Sequence, residues 1–124
     1  MAIISFDKDT VIDYTPAYGG NRESDNPCIV RLKFLPFAKV QHYDGLKAAR
    51  LRGVSAPGRV QEITFEIVKK QFVENVESVS GYFVGIKEVT DPTEFYDSAD
   101  VFLIAEIVDA MPSIQKLTEG QRKN

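Results

Sequence analysis

Residues with nucleophilic or acid–base side chains are few in this chain and lie apart. His42 is the only histidine and Cys28 the only cysteine among 124 residues. A catalytic base acts on a nucleophile within hydrogen-bond reach, and no serine or cysteine near His42 forms a pattern typical of such a pair. Cys28 falls on the apolar face of an alternating segment, where a free cysteine usually packs as a small hydrophobic residue. We therefore identify no candidate catalytic residues, and residue chemistry by itself does not say what the protein does.

Metal and nucleotide sites also lack their usual signatures. One cysteine and one histidine cannot supply the four ligands of a structural zinc site. The acidic residues between positions 88 and 100 do not follow the spacing of a calcium loop. Neither Gly81 nor Gly85 is directly followed by a lysine, as in a phosphate-binding loop, or by a strand-to-helix phosphate turn. We predict no metal site and no cofactor.

Charge gives little sign of a nucleic-acid or membrane partner. Fifteen basic and eighteen acidic residues leave a net charge of −3, which argues against a broad electrostatic grip on nucleic acid or anionic lipid. One basic group stands out near the end of a predicted helix: Lys47, Arg50, Arg52 and Arg59. It could bind phosphate or an acidic face of another subunit, but cations are also favoured at a helix C-terminus, and we favour that simpler interpretation.

Length and composition predict one domain over residues 1–124, large enough for a single hydrophobic core. No stretch approaches the ~20 apolar residues of a membrane span, and the start MAIISFDKD lacks the pattern of a secretion signal. The lone cysteine suits a reducing compartment. We therefore expect a cytoplasmic protein.

The segment Arg59 to Val79 has the longest helical periodicity and should form a central helix. Apolar residues recur there at three- and four-residue steps. Two faces are apolar, which predicts a helix held between other layers. The residues concerned are Phe65, Val68, Phe72 and Val76 on one face, and Val60, Ile63 and Ile67 on the other.

Strand signals lie mainly in residues 1–36. Cys28 to Phe34 alternates between apolar and basic residues, the pattern of a half-buried strand. Ile3 to Phe6 and Val11 to Tyr14 predict a hairpin or two edge strands. Between them and the best strand, Thr15 to Pro27 is rich in turn residues and should be an irregular arm.

The remainder, residues 37–124, reads as mainly helical. Phe37 to Arg52 predicts a helix interrupted at Gly45, and 53–58 a flexible joint. Tyr82 to Val89 is a short strand or extended connection. A last long helix should begin at Pro92, capped by Asp91 or Thr93, and end at Pro112. Its predicted apolar stripe is Phe95, Ala99, Phe102, Leu103, Ile107, Ala110 and Met111.

These segments together predict an α+β fold: a small N-terminal antiparallel β-sheet or hairpin followed by a predominantly helical bundle. Ser113 to Thr118 should add a short final turn with Ile114 and Leu117 directed inward. Tyr14 and Tyr18 in and beside the arm could be exposed aromatic contacts, although a loop that simply closes a hairpin fits equally well.

Several motifs resemble the small tail assembly chaperones of long-tailed bacteriophages and prophages. These are Asn21-Arg22-Glu23 in a β arm, Pro27 before an alternating strand, and Leu35-Pro36 at the start of a helix. The end is similar too, with Ser113 and Leu117 followed by Gly120 and Lys123-Asn124. Gly45 inside the first helix departs from the pattern.

The resemblance implies a non-enzymatic, cytoplasmic protein that coats the long helical tape measure protein and holds it soluble until tail tube subunits polymerise around it. The partners it implies are the tape measure protein, the tail tube protein and further copies of the chain. It places partner contacts on the arm and on the outward side of the C-terminal helices. The expected partner-binding residues are Tyr14, Tyr18, Asn21, Arg22, Ile114 and Leu117.

Two alternatives stay open at this point. A structural virion component, such as a tail terminator or head–tail connector, would form a ring with mixed-charge faces paired around it. A small-molecule-binding or enzymatic α+β domain would use a pocket lined by Tyr82, Phe83 and His42.

Overall fold

A computed structural model describes residues 2–114 of the chain. Within that range the elements include five strands and four α-helices, and the α+β prediction is confirmed. The elements are β1 (Val11–Tyr14), a 3₁₀ helix (Tyr18–Glu23), β2 (Ile29–Lys33), α1 (Phe37–Leu51), α2 (Pro57–Asn75), β3 (Val76–Ser80), β4 (Phe83–Val84), β5 (Lys87–Glu88), α3 (Pro92–Ser98), α4 (Val101–Ala110) and a second 3₁₀ turn (Met111–Ser113).

The main sheet is antiparallel with the order β1-β2-β3. In β2, Val30 and Leu32 are fully buried while Arg31 between them is exposed, which confirms the alternation read from the sequence. Arg31 forms an ion pair with Asp13 of the neighbouring strand β1, at 3.2 Å. A bulge between Arg31 and Leu32 shifts the register with β3. The central strand thus supplies one buried face to the helices.

The hairpin expected within residues 3–14 does not form. Only Val11–Tyr14 is a strand, and it pairs with β2, with Tyr14 opposite Val30. The segment Ile3 to Phe6 has no regular secondary structure, although the Phe6 ring contacts Phe34 edge-on at 5.7 Å. Pairing with the half-buried β2 places Tyr14 in the core, and a local hairpin would not.

The central helix ends four residues earlier than predicted. α2 stops at Asn75, and Val76–Ser80 continues directly as β3, with Val76 and Val79 buried against β2. These two valines also match a strand with one bulge, and long-range pairing outweighs the local helical pattern. Phe65 is 57% exposed, so the expectation that both faces of the helix are covered is wrong there.

A buried polar residue marks the point where helix becomes strand. Asn75 is fully buried and its Nδ2 donates to the Gln71 carbonyl at 2.7 Å and to the Tyr43 hydroxyl at 2.9 Å. Lys39 Nζ donates to its Oδ1 at 3.2 Å. The amide therefore has both donor and acceptor partners, as a buried polar group requires, and it ties α1 to the end of α2.

α1 runs through Gly45 without a break, so the predicted interruption is wrong. A glycine costs about 1 kcal/mol in a helix interior, which fifteen residues of helix packed against α2 outweigh.

The predicted C-terminal helix is two helices. Asp91 caps α3 by accepting from the Glu94 amide at 3.0 Å, as expected, but α3 ends at Ser98. Asp100 then caps α4 by accepting from the Phe102 amide at 2.9 Å. Because a new helix starts there, Phe102 lies 74% exposed and not in the apolar stripe. The chain leaves α4 at Met111 and Pro112, as predicted.

Aromatic rings join the helices to the base of the β4–β5 hairpin. Phe72 of α2 stacks on Phe95 of α3 at 6.0 Å, and Tyr96 contacts Phe72 at 5.2 Å. Tyr82 packs edge-on against Phe95 at 4.6 Å. Both phenylalanines are fully buried. This cluster fixes α3 between α2 and the hairpin. The extended connection predicted for 82–89 is this hairpin.

Candidate functional site

The arm between β1 and β2 is bound to α4 by one carboxylate. Glu106 accepts hydrogen bonds from the Tyr14 hydroxyl at 2.6 Å, the Ala17 amide at 2.7 Å and the Tyr18 amide at 3.0 Å. Burial, followed by the Glu106 hydrogen bond, raises the pKa of Tyr14 to about 12. The arm thus packs on the body at the one acidic residue of the apolar run Val101–Val108.

The polar residues of the arm serve internal contacts. Asn21 Nδ2 donates to the carbonyls of Pro16 and Cys28, and its Oδ1 accepts from the Cys28 amide at 2.7 Å. Arg22 Nε donates to the Thr15 carbonyl at 2.8 Å, and its guanidinium lies over the Tyr14 ring. Asn21 therefore ties the arm to the residue just before β2, and Arg22 ties it to the end of β1.

The six expected partner-binding residues therefore do not form one exposed surface. Tyr14 is only 5% exposed and Ile114 only 2%, so the expectation that Tyr14 is an exposed contact is wrong. Tyr18 is 42% exposed, and Leu117 lies outside the described residues. The sequence correctly identified the turn residues of the arm. It could not reveal that Glu106 accepts hydrogen bonds from the arm backbone or that Cys28 pairs with Asn21.

We predict that Glu106→Ala releases the arm. Removing the acceptor leaves three donors without it, at a cost of about 1–3 kcal/mol in the free energy of unfolding. Urea denaturation should show the loss, and hydrogen exchange should accelerate at Ala17 and Tyr18. Asp109→Ala, a change at an exposed carboxylate one turn later, should stay within about 0.5 kcal/mol. An arm that keeps its protection in Glu106→Ala would contradict this role.

α4 has three different neighbours. Leu103, Ile107 and Ala110 are buried in the core, and Glu106 contacts the arm. The third face, with residues at the i, i+3, i+4, i+7 spacing of one helix side, lines a groove toward α2. Its members are Val101, Ile104, Ala105 and Val108.

This surface, here named the α2–α4 groove, is open and almost wholly apolar. Its volume is about 280 Å³. Phe65 and Val101 on its walls are 57% and 69% exposed. The full lining is Thr64, Phe65, Val68, Tyr96, Val101, Ile104, Ala105, Val108 and Asp109. Exposed apolar side chains gathered in a concavity are typical of a binding surface.

Charges around the groove largely neutralise one another. Lys69 pairs with Asp97 at 2.9 Å, and its ammonium lies 5.7 Å from the centre of the Tyr96 ring. Glu66 pairs with Arg50 at 2.7 Å, and Arg59 with Glu62 at 2.8 Å. The groove therefore offers apolar contact with a polar rim, as protein interfaces do. Two members of the basic group found in the sequence are committed to these pairs.

Potential metal ligands are not clustered in residues 2–114. No group of three metal-ligating side chains occurs in that range. Burial raises the pKa of the Cys28 thiol to about 11, so it is protonated at neutral pH and is a poor nucleophile. His42 contacts the neighbouring Tyr43 ring at 5.4 Å.

The ligand pocket considered from the sequence is not the one that Tyr82 lines. Tyr82 borders a cleft of about 350 Å³ between the arm and the body, whose lining residues include neither Phe83 nor His42. The cleft walls contain arm glycines and asparagines and no charged side chain.

No family model matches the chain, and neither a curated protein nor a solved structure matches it. In the part of the chain that the structure describes, no helix has the length and apolarity needed to cross a membrane. The α2–α4 groove is the strongest candidate functional surface.

Proposed function

We propose that this protein is a tail assembly chaperone of the kind found in long-tailed bacteriophages and prophages. It binds helical segments of the tape measure protein in the host cytoplasm, reversibly and without a chemical step. The observation that carries the proposal is the α2–α4 groove, because such a client displays apolar helix faces that need cover.

The groove suits an amphipathic helix. A helix docks by placing residues at i, i+3, i+4 and i+7 in an apolar trough. Here α2 and α4 supply the two walls, and Tyr96 lies between them on α3. Contacts are apolar side chains and not ion pairs, so recognition depends on the client's stripe more than on its charges. A shallow trough allows release when tail tube subunits replace the chaperone.

The motifs in the arm and at the C-terminal end supply the link to phage tails. The groove alone supports only helix binding, and the resemblance names the tape measure protein as the client. The arm stays a candidate second contact through Tyr18, its exposed aromatic residue.

We expect Phe65→Glu to weaken binding of an apolar-stripe peptide by about 10–100-fold. The change removes an exposed wall residue worth about 1.5–3 kcal/mol when buried by a client and adds a charge to the trough. Fluorescence anisotropy with a labelled tape measure peptide of roughly four heptads measures the affinity.

Phe102→Glu is the matched control. Phe102 is also a helical, exposed phenylalanine, but it is not among the residues that line the groove. Affinity within about twofold of wild type is expected for it. Equal loss in both variants, or no peptide binding by the wild type, would reject the proposal. A stable closed ring that ignores the peptide would favour the tail terminator or connector alternative.

A further inference from the structure

The β4–β5 hairpin presents apolar side chains to solvent. Phe83 and Val84 of β4 are 57% and 50% exposed, and Ile86 in the connecting loop is completely exposed. Gly85 has φ +64° at the first position of this two-residue loop, where tight hairpins favour glycine. The hairpin therefore ends in an apolar tip, a feature that solvent-facing hairpins usually avoid.

The base of the hairpin is fixed to the body. The Val89 amide donates to the Tyr82 carbonyl at 2.9 Å, and Val89 is buried. Tyr82 packs on Phe95, and Lys87 pairs with Glu94 of α3 at 2.9 Å. The tip is thus held at a fixed place on the molecule.

The hairpin does not cover the groove of its own chain. Ile86 is wholly exposed while the groove residues Phe65 and Val101 are also mostly exposed, so the two surfaces do not bury each other. The same chain therefore carries an exposed apolar projection and an exposed apolar trough at separate places.

We infer that the hairpin of one copy docks into the α2–α4 groove of a second copy. Val84 and Ile86 are aliphatic, as most of the groove is, and a trough of about 280 Å³ has room for side chains of this size. The charges also match: Lys87 stands next to Ile86, and the carboxylate of Asp109 is exposed in the groove lining. Lys87 and Glu94 form an exposed pair, and exposed pairs contribute little to stability, so Lys87 can change partner at little cost.

The contact joins two different surfaces, so copies that do not exchange hairpins reciprocally are joined head-to-tail. Heterologous contacts of this kind grow into rings or open chains and do not stop at a dimer. A hairpin tip is a small interface, and association should be weak and concentration-dependent. If the groove also binds the client, a consequence that rests on the proposed function, then client and neighbouring copy compete for it.

Sedimentation velocity across about 10 µM to 1 mM protein tests the inference. Wild type should form concentration-dependent oligomers. Ile86→Asp, at a loop position that tolerates aspartate, and Phe65→Glu should each remain monomeric with unchanged circular dichroism. Phe102→Glu should oligomerise as wild type does.

Mixing the two monomeric variants gives the most discriminating result. Ile86→Asp keeps an intact groove and Phe65→Glu keeps an intact hairpin, so an equimolar mixture should form a dimer that grows no further. A monomeric wild type, oligomers that persist in either variant, or no dimer in the mixture would overturn the inference. Peptide binding, measured by anisotropy, is an independent readout, and Ile86→Asp should bind the peptide as wild type does. If self-association fails, the proposed function can still hold. If peptide binding fails, self-association through the groove can still hold.

Discussion

Phe72→Ala should lower the free energy of unfolding by about 3–5 kcal/mol, the usual cost of truncating a buried phenylalanine. Phe72 has no exposed surface, and its ring contacts those of Phe95 and Tyr96. The loss combines transfer of the ring out of water with a cavity at the junction of α2 and α3. Against a typical total of 5–15 kcal/mol it is large enough to populate the unfolded chain. Urea denaturation followed by circular dichroism measures it.

Phe65→Ala is the matched control on the same helix. Its ring is more than half exposed, and alanine is the best helix former, so the change should stay within about 1 kcal/mol. Similar losses at the two positions would mean that the Phe72–Phe95 contact is not the centre of the core.

The second large effect is expected at Gly81, which follows β3. Gly81 has φ +73°, and a Cβ there would lie 2.7 Å from the Pro27 carbonyl oxygen and 3.1 Å from Cys28 Cα. Both atoms belong to backbone and cannot rotate away. Gly81→Ala therefore combines the left-handed penalty of about 1–2 kcal/mol with overpacking of about 1–3 kcal/mol. A loss of roughly 2–5 kcal/mol should appear in urea denaturation.

Gly85→Ala separates the two contributions. Gly85 also has positive φ, +64°, but a Cβ there meets nothing within 4 Å. The control should show only the conformational cost of about 1–2 kcal/mol. If the Gly81 variant is no less stable than the Gly85 variant, the backbone of Pro27 and Cys28, just before β2, does not crowd this turn.

The two proposed uses of the α2–α4 groove are physically related. An open apolar trough is a liability in an isolated molecule, because it favours non-specific association. Weak occupation by the hairpin of a neighbouring copy would cover it, and a client helix with more apolar contact would displace that neighbour. On this account the oligomer is a storage form.

Local patterns in the sequence were sufficient for most helices and for β2. The Asp91 cap and Pro92 correctly fixed the start of α3, because capping depends on neighbouring residues only. The alternation around Val30 and Leu32 likewise predicted the buried face of the sheet. Such signals are encoded within a few residues, so no tertiary information is needed to read them.

Elements that depend on distant partners were read less well. Val76 and Val79 fit a helical stripe, yet they form β3 because they pair with Leu32 and Val30 of β2, which lie 44 and 49 residues earlier in the chain. The α2–α4 groove was not predicted from the sequence for the same reason. Val101, Ile104 and Val108 were not among the expected partner contacts, because a sequence does not reveal which side of α4 the core leaves uncovered.

By itself the sequence determined the α+β class, the central strand, the helix caps and the absence of a recognisable catalytic or metal-binding motif. Only the tertiary structure decided that Tyr14 is buried, that Asn21 and Glu106 fasten the arm, and that α2 and α4 leave a groove between them. The reason is that burial and hydrogen-bond partners are set by residues far apart in the chain, which pack together only when the sheet and helices are in place.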